Sequence, residues 1–184
     1  FGQALALPLI LGPVGFAGMF ARRGEVQAAR AAAAAGIPFA LSTVGICSIE
    51  EVAAGAGAPP WFQLYVTRDR GWLAEILQRA DRAGCPVLIL TADLQIPAMR
   101  YRDVRSGFAR PPGGLDWLFR AGEGVLRPGW TWDVFLRGRP HTFGSLADAL
   151  SPRHSFHEAW AWTHANFDPS VNWSDLDFIR RHWR

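Results

Sequence analysis

The segment Trp61–Val66, with the sequence WFQLYV, decides the predicted fold. Side chains alternate along a β-strand, so Phe62 and Leu64 share one face while Gln63 and Tyr65 share the other. A strand that is buried on both faces of a parallel sheet is expected to be almost entirely aliphatic. An amide and a phenol on one face therefore favour a ligand site near the carboxyl end of the strand. The alternative is that neighbouring backbone groups satisfy both side chains internally.

Strands and helices alternate on both sides of this segment. On the carboxyl side, Asp69 is predicted to cap a helix that ends at about Ala83, and Pro86–Thr91 is predicted to form the next strand. On the amino side, the predicted elements are a strand at Leu7–Leu11, a helix at Gly24–Ala35, a strand at Ile37–Leu41 and a short helix capped by Ser48. Four strands that recur every ~25–30 residues with helices between them predict parallel βαβ units. The sheet is expected to be either open and doubly wound or closed as a (β/α)8 barrel, of which four units are half.

The composition is that of a single globular domain. The chain has 184 residues, of which 49% are hydrophobic, enough for a sizeable core. Cys47 and Cys85 lack the spacing of a metal site or a redox pair, so no metal is expected and a reducing compartment is favoured. All 19 basic residues are Arg, so any function that needs a lysine ammonium depends on residues outside this sequence. The net charge of +3, with no recognised motif, argues against a nucleic-acid partner.

The stretch Phe1–Ala21 carries no charge, which raises the question of a membrane span or a signal peptide. Pro8, Gly12, Pro13 and Gly15 would interrupt a helix repeatedly, and no basic region precedes the apolar run. A short buried strand that leads into a Gly/Pro loop is the favoured interpretation.

Residues 101–150 break the strand and helix pattern and predict a long loop after the fourth strand. The segment interleaves aromatic and arginine side chains, among them Trp117, Trp130, Trp132, Arg127, Arg137 and Arg139. This combination favours a membrane interface or an anionic partner. The alternative is a lid whose aromatic side chains pack inward.

The last segment, Asp168–Ile179, is predicted to be a turn followed by a helix. Asn172 or Ser170 is the expected helix cap. Four apolar residues recur at helical spacing and are predicted to belong to the core: Trp173, Leu176, Ile179 and Trp183.

Ligands in parallel α/β folds bind at the carboxyl ends of the strands, and each predicted strand ends in a candidate residue. Gly15 would allow the backbone to approach a flat ligand, and neutral hydrogen-bonding groups suit a polar ring edge. Tyr65 and the arginine fork of Arg100 would suit a small organic acid. The candidates in chain order are Val14, Gly15, Ser42, Gln63, Tyr65, Thr91 and Arg100.

Several segments resemble one enzyme family, the FMN-dependent L-2-hydroxy acid dehydrogenases and oxidases. The segments are Gly12–Met19, Arg22–Val26, Leu41–Thr43, Trp61–Val66 and Asn166–Ser170. Two further matches, one at Arg100–Asp103 and one formed by Trp130–Asp133 together with Gly138–His141, are most similar to the bacterial respiratory, membrane-associated L-lactate dehydrogenases.

The resemblance implies a (β/α)8 barrel, of which this chain covers about the first half. It also implies that FMN is contacted by Val14, Gly15, Ser42, Gln63 and Thr91, and that Tyr65 and Arg100 bind the substrate. The catalytic base, a histidine, and a flavin-stabilising lysine are expected beyond Arg184. No catalytic residue is therefore expected within this sequence.

The expected function is FMN-dependent oxidation of L-lactate to pyruvate, with electrons passed to a quinone or cytochrome. Residues 1–184 are expected to be one domain, with 101–165 as a lid or a membrane-facing segment. The expected partners are a small 2-hydroxy acid, the electron acceptor and further copies in a homo-oligomer, at the cytoplasmic face of the bacterial inner membrane. Small residues at Val44 and Gly45 leave open an L-mandelate dehydrogenase or a 2-hydroxy acid oxidase. A rival of another class is a non-catalytic half-barrel with a binding or structural role.

Overall fold

The computed structural model of the chain describes residues 2–92, 101–105, 116–147, 150 and 156–183. Three strands, β1 (Ala40–Ser42), β2 (Trp61–Tyr65) and β3 (Leu88–Thr91), form a parallel sheet in the order β1-β2-β3. The helices are α1 (Gly24–Ala34), α2 (Ile49–Ala56), α3 (Arg70–Arg82), α4 (Tyr101–Arg105), α5 (Asp116–Leu126), α6 (Pro128–Trp130), α7 (Phe156–Asn166) and α8 (Ser174–His182). Helices α2 and α3 connect the three strands, which confirms the predicted βαβ units.

The predicted caps of two helices are confirmed. Ser48 Oγ accepts a hydrogen bond from the Glu51 backbone N–H at 3.1 Å, and Asp69 Oδ1 accepts one from the Trp72 N–H at 3.0 Å. Each cap satisfies a backbone donor that the first helical turn leaves without an intrahelical partner. The two helices therefore start where the sequence predicts.

Strand β1 begins at Ala40, whereas the sequence predicts a strand from Ile37. Helix α1 ends in a left-handed Gly36, with φ of 66°, and the Ile37 N–H donates back to the Ala32 carbonyl at 3.0 Å. This is the hydrogen bond of a Schellman motif, so Ile37 belongs to the end of the helix.

The predicted buried strand at Leu7–Leu11 is not formed as a strand. Its contact with the sheet is a parallel bridge between Leu11 and Phe39, and Leu9 is 57% exposed. Pro8 has no N–H to donate to a sheet ladder, which disfavours regular pairing here. The segment lies beside β1 at the edge of the sheet, with its aliphatic side chains exposed among the described residues.

Side chains of β2 divide between two apolar clusters, as strand alternation predicts. Phe62 and Leu64 belong to the main core together with Leu73 and Ile76 of α3. Trp61 belongs to a smaller cluster on the opposite face, with Ala40, Val87 and Ile89. That opposite face also carries Gln63 and Tyr65, so helix packing and polar groups occupy different sides of the sheet.

The long segment after β3 is more helical than the sequence predicts. Besides α4 to α7 it contains a π-helix at Thr131–Leu136 and a 3-10 turn at Gly144–Leu146. Phe143 is fully buried, whereas Trp132 is 61% exposed, so the aromatic side chains of this segment are divided between the core and the surface. No helix in the described ranges has the length and apolar character needed to cross a bilayer.

At the end of the chain, the predicted caps and core residues are only partly correct. Trp173 precedes α8 in a helical conformation without a side-chain cap, although Asn172 Oδ1 accepts a hydrogen bond from the Ser174 N–H at 2.9 Å. Trp173 is 86% exposed and does not join the core, because it precedes the helix. Ile179 is buried, and Leu176 and Trp183 pack against the core as predicted.

Candidate functional site

Three neutral polar side chains form a hydrogen-bonded row across the carboxyl ends of the sheet. The Ser42 hydroxyl donates to Gln63 Oε1 at 3.1 Å, and Gln63 Nε2 donates to Thr91 Oγ1 at 2.8 Å. In the parallel register Ser42 lies opposite Gln63, and Thr91 lies opposite Tyr65, the next residue of β2 on the same face as Gln63. The register therefore brings the three side chains together. Ser42 and Gln63 are only 3% and 2% exposed. We call Ser42, Gln63 and Thr91 the strand-end row.

The orientation of the Gln63 amide is fixed on its oxygen side. Oε1 also lies 3.3 Å from the Thr43 N–H, so it faces two donors. The amide nitrogen carries two hydrogens, and Thr91 takes one of them. Within the described residues, the second hydrogen is left available for a ligand, as is the Thr91 hydroxyl proton. Such neutral donors and acceptors fit a ring edge with alternating carbonyl and ring-nitrogen groups.

Thr43 is a residue of this region to which sequence reasoning gave no role. Its hydroxyl donates to the Gln63 carbonyl at 2.5 Å and accepts from the Tyr65 N–H at 3.2 Å. It thereby links the loop after β1 to the backbone of β2. Its position directly after Ser42, at the end of a predicted strand, was the sequence signal for a role at this site. The hydrogen bonds themselves could not be predicted, because they depend on the register between β1 and β2.

Val14 and Gly15 lie next to the loop that follows β1. The Phe16 N–H donates to the Val44 carbonyl at 3.2 Å, and an ideal Cβ on Gly15 would lie 2.9 Å from Val44 Cγ2. The glycine therefore allows the two loops to approach each other closely. Val14 is 60% exposed and lies at the surface of the described structure.

Tyr65 lies opposite Thr91 at the end of β2 and is partly buried. Its ring lies 4.9 Å from that of Phe167, centroid to centroid, with 37° between the ring planes. A cavity of about 10 Å³ is lined by both rings together with Thr91. This volume is at the lower limit for one water molecule. The second predicted substrate-binding residue, Arg100, lies outside the described residues.

The whole chain, residues 1–184, matches the profile of the FMN-dependent dehydrogenase family. The chain belongs to this family. Among curated relatives, the L-lactate dehydrogenase of Caulobacter sp. (strain K31) is 50% identical over 184 residues, which are 100% of this chain and 48% of that protein. The L-lactate dehydrogenase of Chromohalobacter salexigens is 51% identical over 183 residues, 100% of this chain and 46% of that protein. The chain spans about half the length of the curated relatives it matches.

Solved structures of related proteins support the same family fold. The monotopic membrane protein (S)-mandelate dehydrogenase superposes with a TM-score of 0.84 at 31% identity, over 98% of this chain and 47% of that protein. Mandelate oxidase with (S)-2-phenylpropionate gives a TM-score of 0.67 at 29% identity, over 98% and 40% of the two chains. FMN-dependent dehydrogenases are (β/α)8 barrels, and the three-stranded sheet with its helices corresponds to half of one. The predicted fold class and the cofactor of the family, FMN, are confirmed.

In this member of the FMN-dependent dehydrogenase family, the helical segment after β3 docks onto loops near the strand-end row. Trp130 Nε1 donates to the Met19 carbonyl at 2.9 Å. The Gly144 N–H donates to the Gly45 carbonyl at 3.1 Å, and an ideal Cβ on Gly144 would lie 2.3 Å from the Ser48 nitrogen. Only glycine fits there without a shift of one of the two backbones.

Two buried carboxylates adjoin the predicted site. Glu25 is fully buried and its Oε1 accepts a hydrogen bond from the Ile46 N–H at 2.8 Å. Asp168 has its pKa held below the usual range, mainly because the Ser170 hydroxyl and N–H donate to it, with a further contribution from Arg70. Burial opposes this shift but does not reverse it. The sequence analysis gave neither carboxylate a functional role, since Ile46, which donates to Glu25, and Arg70, which pairs with Asp168, lie in other elements.

Both cysteines are buried free thiols. Burial, together with the nearby Glu25 carboxylate, raises the pKa of Cys47 to about 12. Burial, with a smaller contribution from Glu50, also raises the pKa of Cys85 to about 12. Both therefore remain neutral at physiological pH, which makes them poor nucleophiles.

Proposed function

We propose that this chain supplies the flavin-facing and substrate-facing strand ends of an FMN-dependent L-lactate dehydrogenase, which oxidises L-lactate to pyruvate. The strand-end row carries the proposal, because it places neutral donors and acceptors side by side at the edge where parallel α/β folds bind ligands. The identity of about half of all residues with L-lactate dehydrogenases, over the whole chain, supports lactate as the substrate.

The cofactor side of the proposed site is formed by Val14, Gly15 and the strand-end row. The backbone at Val14 and Gly15 would lie against the ring system, while Ser42, Gln63 and Thr91 would hydrogen-bond its polar edge. FMN, when bound, accepts the two electrons that are removed from the hydroxy acid. The hydrogen bonds within the row orient its polar groups before the cofactor arrives, which lowers the cost of ordering them on binding.

The substrate side is assigned to Tyr65 and Arg100. The Arg100 guanidinium offers two parallel donors that match a carboxylate, and the Tyr65 hydroxyl donates a further hydrogen bond. These residues orient the substrate and take no proton from it. The proton is removed by a histidine that lies outside this sequence in the proposed enzyme.

Gln63 is the residue whose replacement tests the cofactor side. In the full-length protein, Gln63→Met keeps the volume of the side chain but removes the amide that links Ser42 to Thr91. We expect about 10- to 100-fold weaker FMN binding, since buried hydrogen-bonding partners lose their contacts. Flavin content by visible absorbance and FMN titration measure the effect.

Gln78→Met is the matched control for this experiment. Gln78 is exposed on α3, away from the sheet edge, so the same chemical change there should leave FMN binding unchanged. Equal FMN affinity in Gln63→Met and the unaltered protein would contradict the cofactor role. A full-length protein that never contains flavin would instead support a non-catalytic half-barrel.

An L-mandelate dehydrogenase or a 2-hydroxy acid oxidase is the second candidate, favoured by the similarity to (S)-mandelate dehydrogenase. Small side chains at Val44 and Gly45 were the sequence argument for a larger pocket. A Cβ on Gly45 would meet Leu41 Cδ1 and the Ser42 carbonyl at 3.1 Å, so packing alone explains that glycine. Steady-state rates with lactate, mandelate and glycolate, using a quinone or oxygen as acceptor, separate the candidates. Preference for mandelate would overturn the lactate assignment.

The proposed enzyme works as a peripheral protein at the cytoplasmic face of the bacterial inner membrane, with a quinone or cytochrome as acceptor, and as a homo-oligomer. The exposed apolar side chains after β3 support the membrane contact. They are Val125, Leu126, Trp132, Phe135 and Leu136, and we call them the exposed apolar face. Arg127, Arg137 and Arg139 flank this face and would attract anionic headgroups. A related (S)-mandelate dehydrogenase is itself a monotopic membrane protein.

A further inference from the structure

We infer that Phe167 is a positioning residue for Tyr65, and that Arg70 holds Phe167 in place through Asp168. The inference rests on the proposed function, because it assumes that Tyr65 contacts the substrate. It joins Tyr65 at the end of β2 and the nearby Arg70 at the start of α3 to Phe167, which lies far away in the chain, after α7.

Backbone hydrogen bonds first attach the Phe167 segment to the chain that leaves β2. Thr67 and Phe167 form an antiparallel bridge. On one side of the bridge the Arg68 N–H donates to the Asn166 carbonyl at 2.7 Å, and on the other the Asp168 N–H donates to the Val66 carbonyl at 3.0 Å. The segment is therefore held in register with the residues that directly follow Tyr65.

This register places the Phe167 ring against the Tyr65 ring. The centroids are 4.9 Å apart with a 37° tilt, which is within the range of favourable aromatic pairs. The two rings and Thr91 line a cavity of about 10 Å³, so the Phe167 ring lies directly beside the Tyr65 ring at this end of β2. Phe167 thus restricts the direction in which Tyr65 can point its hydroxyl.

Ion pairs also hold the segment that contains Phe167, through Asp168. Arg70 Nη2 lies 3.0 Å from Asp168 Oδ2 and 2.8 Å from Asp175 Oδ1. Both carboxylates are buried, whereas the Arg70 side chain is partly exposed. Removal of the arginine would leave two carboxylates close together without their cation, which is strongly unfavourable at a buried site. Arg70 therefore couples the start of α3 to the residue next to Phe167.

A purely structural role for this cluster makes a different prediction from a positioning role. If the cluster is only structural, it joins α3 to α8, and its loss lowers the stability of the protein equally with and without the Tyr65 hydroxyl. A positioning cluster acts through Tyr65, so its loss has a reduced effect once the Tyr65 hydroxyl has been removed. A double-mutant cycle separates the two, because it measures the dependence of one substitution on the other.

The first cycle uses Phe167→Leu and Tyr65→Phe in the full-length, FMN-loaded protein. Phe167→Leu is expected to raise KM for L-lactate about two- to tenfold, with FMN content unchanged. In the Tyr65→Phe background the same substitution should change KM by less than about twofold. Equal fold-changes in the two backgrounds would overturn the positioning role. No effect of Tyr65→Phe on turnover of any 2-hydroxy acid would instead overturn the proposed substrate site, and the inference with it.

The second cycle tests Arg70 with a matched control on the same helix. Arg79 forms a two-point ion pair with the more exposed Glu50, with Nε 2.8 Å from Oε1 and Nη2 2.8 Å from Oε2, and this pair lies away from Tyr65. Arg70→Met should raise KM as Phe167→Leu does, and the two effects should not add. Arg79→Met should leave KM unchanged, and Arg70→Lys should restore part of the loss.

Equal changes in KM for Arg70→Met and Arg79→Met would contradict the inference. If Arg70→Met prevents folding, the Phe167 cycle decides alone.

Discussion

The strand-end row and the exposed apolar face use their side chains in opposite ways. In the row, three polar groups are hydrogen-bonded to one another and two of them are buried, while Phe62 and Leu64 of β2 face the helices. On the exposed face, aliphatic and aromatic side chains point outward, and polar contacts such as Trp130 Nε1 to Met19 attach the segment to the rest of the chain. The strand-end row places polar groups in the interior, and the exposed apolar face places apolar groups at the surface. Both are the reverse of the usual distribution in a globular protein. Each departure marks a surface that is expected to meet something other than water.

The largest expected difference is in stability, between the core on the helix-facing side of β2 and the exposed apolar face. Phe62 of β2 is fully buried and Phe135 is 44% exposed, so the same substitution probes both. We expect Phe62→Ala to lower the free energy of unfolding by about 3–5 kcal/mol, because it leaves a cavity in the core. Phe135→Ala should cost less than about 1 kcal/mol. Urea denaturation of the full-length protein measures both, and equal losses would mean that Phe135 is packed in the full-length protein.

A smaller effect is expected at the membrane surface. Trp132→Ser should weaken binding to vesicles that contain anionic lipid by about 3- to 30-fold, since it removes an interfacial aromatic side chain. Trp173→Ser is the control, because Trp173 is even more exposed but lies before α8, outside the exposed apolar face. Vesicle co-sedimentation measures the binding. Equal weakening by both substitutions would show that exposed aromatics bind lipid without regard to position.

The smallest effect concerns acid stability near the strand ends. The pKa of Asp168 is lowered from its ordinary value of 3.8, so the carboxylate stabilises the fold above that pH. This stabilisation is lost as the pH falls below 3.8 through the lower folded-state pKa. Asp168→Asn should therefore flatten the acid limb of the stability curve, as followed by denaturant unfolding at a series of pH values.

Glu50 provides the comparison for Asp168. Its pKa is also lowered, mainly because Arg79 donates hydrogen bonds to it, so the direction of the pH dependence is the same. The Glu50 side chain is 51% exposed, and solvent screens its ion pair. Glu50→Gln should accordingly flatten the curve less than Asp168→Asn. The reverse order would contradict the expectation that the buried Asp168 contributes more to acid stability than the half-exposed Glu50.

Much of this fold was predictable from local patterns. Strand alternation placed Gln63 and Tyr65 opposite Phe62, and the helix caps at Ser48 and Asp69 follow from short-range hydrogen bonding. Leu7–Leu11 was predicted incorrectly because burial depends on what lies opposite a strand, and apolar composition does not specify that. Trp173 was predicted incorrectly because helical spacing does not reveal the residue at which the helix begins.

The site was predictable as a set of residues, but its contacts were not. The position of Ser42, Gln63 and Thr91 at successive strand ends could be read from the sequence, whereas their mutual hydrogen bonds depend on the register of the sheet. Phe167 lay within a recognised segment, yet its contact with Tyr65 joins residues far apart in the chain. The role of Arg100 remains a prediction from the sequence.

The close approach of Gly144 to the loop after β1 has a thermodynamic consequence. The Gly144 backbone packs against the backbone of Ile46, Cys47 and Ser48 with no space for a side chain, and its N–H donates to the Gly45 carbonyl, so a displacement of one segment requires a displacement of the other. If covering of the exposed apolar face shifts Gly144, the loop that follows Ser42 must shift too. Surface binding and flavin binding would then be linked, and each would change the affinity of the other by the same factor.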